Sequence, residues 1–139
     1  MENAKLLPHL VGNAGVFYVC HRLSQMGWNA MPTTRNAKGP DVVIASEDAK
    51  RLWTIQVKSL RKRIPVALGK NPSIVANWVV ACIGVHTDSP RCFVMSPEEV
   101  SERAYRDKDG GNHWLQPPQY DTEEFADRWD RIGSGLAGG

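Results

Sequence analysis

Three side chains of this 139-residue chain could meet around a hard cation: the carboxylate of Asp41, the amide of Gln56 and the amine of Lys58. Gln56 and Lys58 are two residues apart, so on a β-strand they project to the same face. Asp41 leads the apolar run Asp41-Val-Val-Ile-Ala-Ser, and a neighbouring strand that starts there can bring its carboxylate beside them. Mg²⁺ takes oxygen ligands and keeps several waters, so one carboxylate, an amide or backbone carbonyl and a substrate phosphate can complete a site. A metal held this way lowers the pKa of its water and offsets the charge that grows on a phosphate as its P–O bond breaks. A lysine nearby adds a cation where that anion develops. Plainer readings stay open for each residue: Asp41 after Pro40 also suits the start of a turn, and Gln56 and Lys58 also suit the wet face of a strand.

The elements that must position these groups are legible from periodicity. Between Asn13 and Met26 the residues Val16, Val19, Cys20, Leu23 and Met26 recur at helical spacing, with His21 and Arg22 on the wet side. Asn13 is a plausible N-cap, and Gly27 sits where a left-handed residue would end the helix. Trp28 to Thr34 can run out as a strand, and the turn-rich segment Asn36 to Pro40 leads into a second strand from Asp41. In Leu52-Trp-Thr-Ile-Gln-Val-Lys, residues Trp53, Ile55 and Val57 alternate with Thr54, Gln56 and Lys58, which predicts a hairpin with a polar stripe. Trp78 to Val85 is nearly all apolar, as in a strand covered on both faces, and Cys92 to Met95 adds a shorter one. Ser96-Pro97 starts a helix through Val100 and Ala104, and Asp121 or Thr122 opens a last helix carrying Phe125, Trp129 and Ile132.

The order helix, strand, Pro40-Asp41, hairpin, Gln56-Val57-Lys58, apolar strand resembles the PD-(D/E)XK nuclease superfamily, particularly its small Holliday-junction-resolvase-like members. The resemblance covers Val11 to Lys58 best and Trp78 to Val100 more loosely. It implies a restriction-endonuclease-like fold, of α/β (α+β) class, with a single mixed β-sheet flanked by helices. It also implies a metal-dependent endonuclease on DNA, with Mg²⁺ or Mn²⁺ as cofactor. Carried over by position, Asp41 is a metal ligand, Gln56 stands in the second acidic position, the Val57 carbonyl is a further ligand and Lys58 is the catalytic lysine. Two residues depart from the pattern. Gln56 is neutral where most members carry Asp or Glu, so the side chains of Asp41, Gln56 and Lys58 sum to zero charge. Val16 stands where many small members carry an acid on the first helix, and Glu2 and Glu47 are the nearest acids that could substitute. Together these leave a second reading: a domain that keeps the fold, has lost the chemistry, and binds nucleic acid or protein.

Composition bounds the rest. With 42% hydrophobic and 23% charged residues the chain has the make-up of a globular protein, and its length fits one domain over residues 1–132 with a flexible Gly-rich end at 133–139. One core is expected. A net charge of +2 does not by itself point to nucleic acid, but Lys58, Arg61, Lys62, Arg63 and Lys70 lie together with no acid among them. Arg61, Lys62, Arg63 and Lys70 are therefore candidates to track phosphates, and DNA is the expected partner with RNA left open. The chain is too short for a separate target-recognition domain, which favours a homodimer. Cys20, Cys82 and Cys92 form no Cys-x-x-Cys pair, and reduced thiols with no apolar leader or membrane span fit a cytoplasmic location.

Overall fold

The structure, a computed structural model, describes residues 5–34 and 39–138. Glu2 and most of the turn expected at Asn36 to Pro40 lie outside the described residues. Helix α1 (Pro8–Gln25) begins five residues before the expected start, because Pro8 at its first turn has the fixed φ a helix needs and no N–H to leave unpaired. Asn13 is therefore inside the helix and not its cap. The other end is as the sequence reads: Gly27 takes φ +92°, its N–H reaches the Ser24 carbonyl and that of Trp28 the Leu23 carbonyl, closing the last turn. The helix buries Val11, Gly15, Val19 and Leu23.

Strands β1 (Asn29–Pro32), β2 (Val42–Ala45) and β3 (Leu52–Ser59) form an antiparallel meander. After β4 (Val66–Gly69) the chain crosses over to β5 (Trp78–Ile83), which pairs in parallel with β3, and β6 (Arg91–Met95) closes the edge antiparallel to β5. The result is one five-stranded mixed sheet, ordered β1-β2-β3-β5-β6, with helices packed on it. This is the mixed α/β class, with one mixed sheet flanked by helices, that the sequence implies. Helix α2 (Pro97–Arg103) starts on a full capping box in which Ser96 Oγ accepts from the Glu99 N–H and the Glu99 carboxylate accepts from the Ser96 N–H.

Several features were not legible. Strand β4 joins β7 (Tyr105–Arg106) and β8 (His113–Leu115) in a small second sheet, ordered β4-β8-β7. The helix expected from Asp121 is absent. In its place are a short α3 (Pro117–Tyr120) and a 3₁₀ turn at Trp129–Arg131. The intervening segment is drawn to the free edge of β6: Val94 N–H donates to the Phe125 carbonyl, Asp127 N–H to the Cys92 carbonyl, and Asp127 takes φ +53°, which no helix tolerates. Phe125, Trp129 and Ile132 are buried all the same. The Gly-rich end is not free either. Trp28 Nε1 and Arg51 Nη1 donate to the carbonyls of Gly133 and Ser134, and Gly135 bonds both Met26 and Glu47 through its backbone, tying this segment to the start of β1 and the β2–β3 turn.

Apolar side chains form two clusters, not one. Val42, Ile44, Ile55, Val57, Val80 and Cys82 pack under α1, while Val79, Ala81, Ile83, Phe93 and Met95 pack on the opposite face with Val66, Leu115 and Tyr120. Alternate residues of β5 feed both, which is why that strand reads as continuously apolar.

Candidate active site

Asp41 is fixed by its backbone before its side chain does anything. Its N–H donates to the Ile55 carbonyl at 2.9 Å, and its own carbonyl accepts from Thr33 N–H at 2.8 Å and Thr33 Oγ1 at 3.2 Å. It thus sits one residue before β2, at the notch where that strand has not yet begun and β3 runs on. The carboxylate turns toward β3, where Oδ2 accepts from Gln56 Nε2 and from the Val57 N–H, each at 2.8 Å. A strand residue directs its N–H and C=O to the same edge, so the Val57 carbonyl faces this notch as well.

Lys58 is half-buried two residues beyond Gln56. Burial pushes its amine below the ordinary lysine value, while the Asp41 carboxylate pulls the other way and only partly offsets it. The register explains the grouping. Gln56 and Lys58 pair with Val79 and Ala81 on the face of the second cluster, whereas Val57 and Ser59 pair with Val80 and Cys82 on the face under α1. Asp41, at the strand end, borders both.

On the α1 side Asp41 lines an open groove of about 430 Å³ with Asn13, Val16, Thr33, Val57 and Ser59. The helix lies very close here: a Cβ on Gly15 would overlap Ser59 Oγ, so only glycine lets α1 approach β3 at this point. Position 16 is therefore delivered to the site, and it delivers an isopropyl group where an acid would add a ligand. Glu47 cannot replace it, because it sits at the opposite end of β2, where its carboxylate accepts from the Ala137 N–H. Among the described residues no three His, Cys, Asp or Glu side chains gather to hold a metal ion. Asn13, Thr33 and Ser59 are groove residues that sequence reading missed. Asn13 was assigned to a cap, and the other two carry no pattern of their own.

The oxygen donors present nonetheless suit a hard cation. Oδ2 of Asp41 is occupied by two donors, leaving Oδ1 outside those bonds, and the Val57 carbonyl faces the same notch. Gln56 presents its NH₂ to Asp41, so it joins as an oxygen ligand once its amide turns over. That gives one carboxylate, one amide and one carbonyl, a set suited to an ion that keeps several waters.

No protein-family model matches this chain, and no curated protein matches it. Among solved structures it is similar to Archaeoglobus fulgidus Hjc, a Holliday junction resolvase from an archaeal hyperthermophile. The two are 14% identical over 76% of this chain and 90% of that one, with a TM-score of 0.48.

The basic residues expected to track phosphates do not act alike. Arg63 is held by Asp121 at 2.8 Å, a carboxylate it shares with Arg91. Burial raises the Asp121 pKa and the two guanidiniums more than offset this, so it stays below the usual carboxylate range. Arg61 is half-buried. Lys62 and Lys70 are exposed and have the freedom to follow a polyanion. Among the described residues no helix is long and apolar enough to cross a membrane.

Proposed function

We propose that this protein is a metal-dependent endonuclease that hydrolyses phosphodiester bonds in DNA, using Asp41, Gln56, Val57 and Lys58. One observation carries the reading: a single Asp41 oxygen bonds both the Gln56 side chain and the Val57 N–H at 2.8 Å, so residues 15 and 16 positions apart in the chain converge on one point. The resemblance of Pro40-Asp41 and Gln56-Val57-Lys58 to the PD-(D/E)XK pattern supports it.

Asp41, the Gln56 amide oxygen and the Val57 carbonyl would hold Mg²⁺ or Mn²⁺. When bound, the ion supplies Lewis-acid charge against the phosphate and a lowered pKa for an attacking water. Asp41 fixes position, because its backbone is hydrogen-bonded to Thr33 and Ile55 on both sides. Lys58 supplies a cation, and its depressed pKa makes it a better proton donor than a free lysine as charge develops on the leaving oxygen. Lys62 and Lys70 would hold the backbone through contacts that carry no sequence information. A homodimer would let two such sites face two strands.

The test is a panel of linear and branched DNAs incubated with and without Mg²⁺ or Mn²⁺. Cleavage should appear only with metal, and Asp41→Ala and Lys58→Ala should abolish it while retaining the far-UV CD spectrum. An active Asp41→Ala variant would rule out this mechanism. Val16 and Gln56 favour the rival reading of a non-cutting binding domain, which predicts DNA binding that Mg²⁺ leaves unchanged and no metal uptake at Asp41.

A further inference from the structure

The two strands at the far side of the sheet carry a pair of thiols ten residues apart in the chain. Cys82 on β5 stands opposite Cys92 on β6, and both belong to the cluster packed under α1. The backbone fixes how close they come. In an antiparallel pair a residue sends its N–H and C=O to the same edge, and facing residues alternate between exchanging hydrogen bonds and turning away from each other. The Cys82 carbonyl accepts from the Leu60 N–H on the β3 side at 2.7 Å, and the Cys92 carbonyl accepts from the Asp127 N–H on the outer side at 2.8 Å. Both residues therefore turn away, which makes 82 and 92 a non-hydrogen-bonded pair, the kind whose Cα atoms stand about 4.5 Å apart.

That separation lies within the roughly 4.4–6.8 Å that a disulfide bridges. The side chains use it: Cys82 Sγ and Cys92 Sγ share a hydrogen bond at 2.8 Å, and both thiols are free. They are not equivalent. Cys82 is fully buried, and its bond to Cys92 together with that burial holds its thiol well above the ordinary cysteine value, so it stays protonated. Cys92 is 5% exposed and borders a cavity of about 260 Å³ between α1 and the segment 126–129, whose wall includes the exposed Asp127. A reagent not much larger than water fits there, and none of the residues proposed to act on DNA lines this cavity.

We propose that Cys82 and Cys92 are a redox pair that hydrogen peroxide converts into a cross-strand disulfide, with Cys92 oxidised first and Cys82 closing the bond. In the first step the Cys92 sulfur bonds one peroxide oxygen as the O–O bond breaks; the thiol proton leaves with the other oxygen as water, and Cys92 becomes a sulfenic acid. In the second the Cys82 sulfur displaces the hydroxyl from Cys92. An S–S bond forms, the S–O bond breaks, and the Cys82 proton leaves with the hydroxyl as a second water. The thiols give up two electrons, which the O–O bond takes, and a thiol reductant reverses the change. The product ties β5, the neighbour of β3, to β6, on whose outer edge residues 125 and 127 are hydrogen-bonded. The pair needs nothing from Asp41, so it stands or falls apart from the nuclease reading.

The experiment treats the intact, folded protein with hydrogen peroxide, alkylates the thiols that remain and maps the peptides without reduction. A Cys82–Cys92 link is expected, with the half-buried Cys20 still alkylated and the link removed by a thiol reductant. Because the link closes a loop in the unfolded chain, the oxidised protein should melt about 5–10 °C higher than the reduced one. Single variants read the order of events. With peroxide and a cyclic diketone that traps sulfenic acids, Cys82→Ala should be labelled at Cys92, and Cys92→Ala should stay unlabelled at Cys82. Both thiols still alkylated after peroxide, a link through Cys20 instead, a melting temperature unmoved or lowered by the link, or label at Cys82 but not at Cys92 would each overturn the proposal. Peptide mapping of the wild type decides the pairing even where a variant fails to fold.

Discussion

β3 and β5 lie side by side in the same direction, yet they do opposite work. From Val79 to Ile83 every residue of β5 is buried, and its side chains feed both apolar clusters. In β3 only Ile55 and Val57 are buried, and the intervening Gln56 and Lys58 keep polar groups at the same level of the sheet. An apolar pair at 56 and 58 would extend the second cluster and add stability. The polar stripe stands where Asp41 meets it, as the proposed nuclease site would require.

The sharpest way to break this contrast is to truncate each strand's neighbourhood in turn. Asp41→Ala should remove cleavage altogether at modest cost in stability. Phe93→Ala, in the cluster fed by β5 and β6, should cost about 3–5 kcal/mol in urea unfolding while folded molecules still cut. If Phe93→Ala abolished the proposed cleavage in folded protein and Asp41→Ala left it intact, the division of labour between the strands would be wrong.

Gly15→Ala probes the seam that joins α1 to the site strand. Its new methyl would strike Ser59, forcing the helix outward, and a loss of about 1–3 kcal/mol with reduced activity is expected. A neutral outcome in both thermal melts and cleavage would show that α1 can move without disturbing the groove. Gln56→Glu sharpens the same region. With a second carboxylate beside Asp41, the melting temperature should fall without metal and rise more steeply with Mg²⁺ than that of wild type, with activity kept or raised. A melting temperature indifferent to Mg²⁺ in this variant would place the ion elsewhere.

On the β6 side the expected effects are smaller. Burial raises the Glu99 pKa, but the Ser96 N–H and Arg131 outweigh it and hold the carboxyl below 4.5. A depressed carboxylate stabilises the fold above its unfolded value. That contribution should therefore be present above pH 4.5 and be lost as pH falls through the lower folded value. Denaturation midpoints measured across that window should flatten in Glu99→Gln, and an unchanged slope would remove Glu99 from the account. Ser96→Ala, at the same capping box, should cost about 1 kcal/mol.

Much of the sheet was readable because its signals are local. Alternation marked β3, continuous apolarity marked β5, and Ser96-Pro97 marked the start of α2, which ends at Arg103, one residue before the expected Ala104. The errors share a cause. Phe125, Trp129 and Ile132 have helical spacing and are buried, but the bonds of residues 125 and 127 to the edge of β6 decide their backbone, and no local pattern reports a distant strand edge. The hydrogen bonds of the Gly-rich end were likewise unreadable, since they go to Met26, Trp28, Glu47 and Arg51, far away in sequence. Strand β4 was hidden in a basic stretch because Lys62 and Arg63 dominate the composition just before it.

By itself the amino-acid sequence determined which residues were available for chemistry and on which strand face each would stand, because side-chain type and the two-residue repeat of a strand are local properties. Only the tertiary structure decided that Asp41 shares an oxygen between Gln56 and Val57, that α1 brings a valine to the groove, and that Arg63 is held by Asp121. Those contacts join segments separated along the chain, and the register of strands and the depth of a helix over a sheet are set by packing of the whole core.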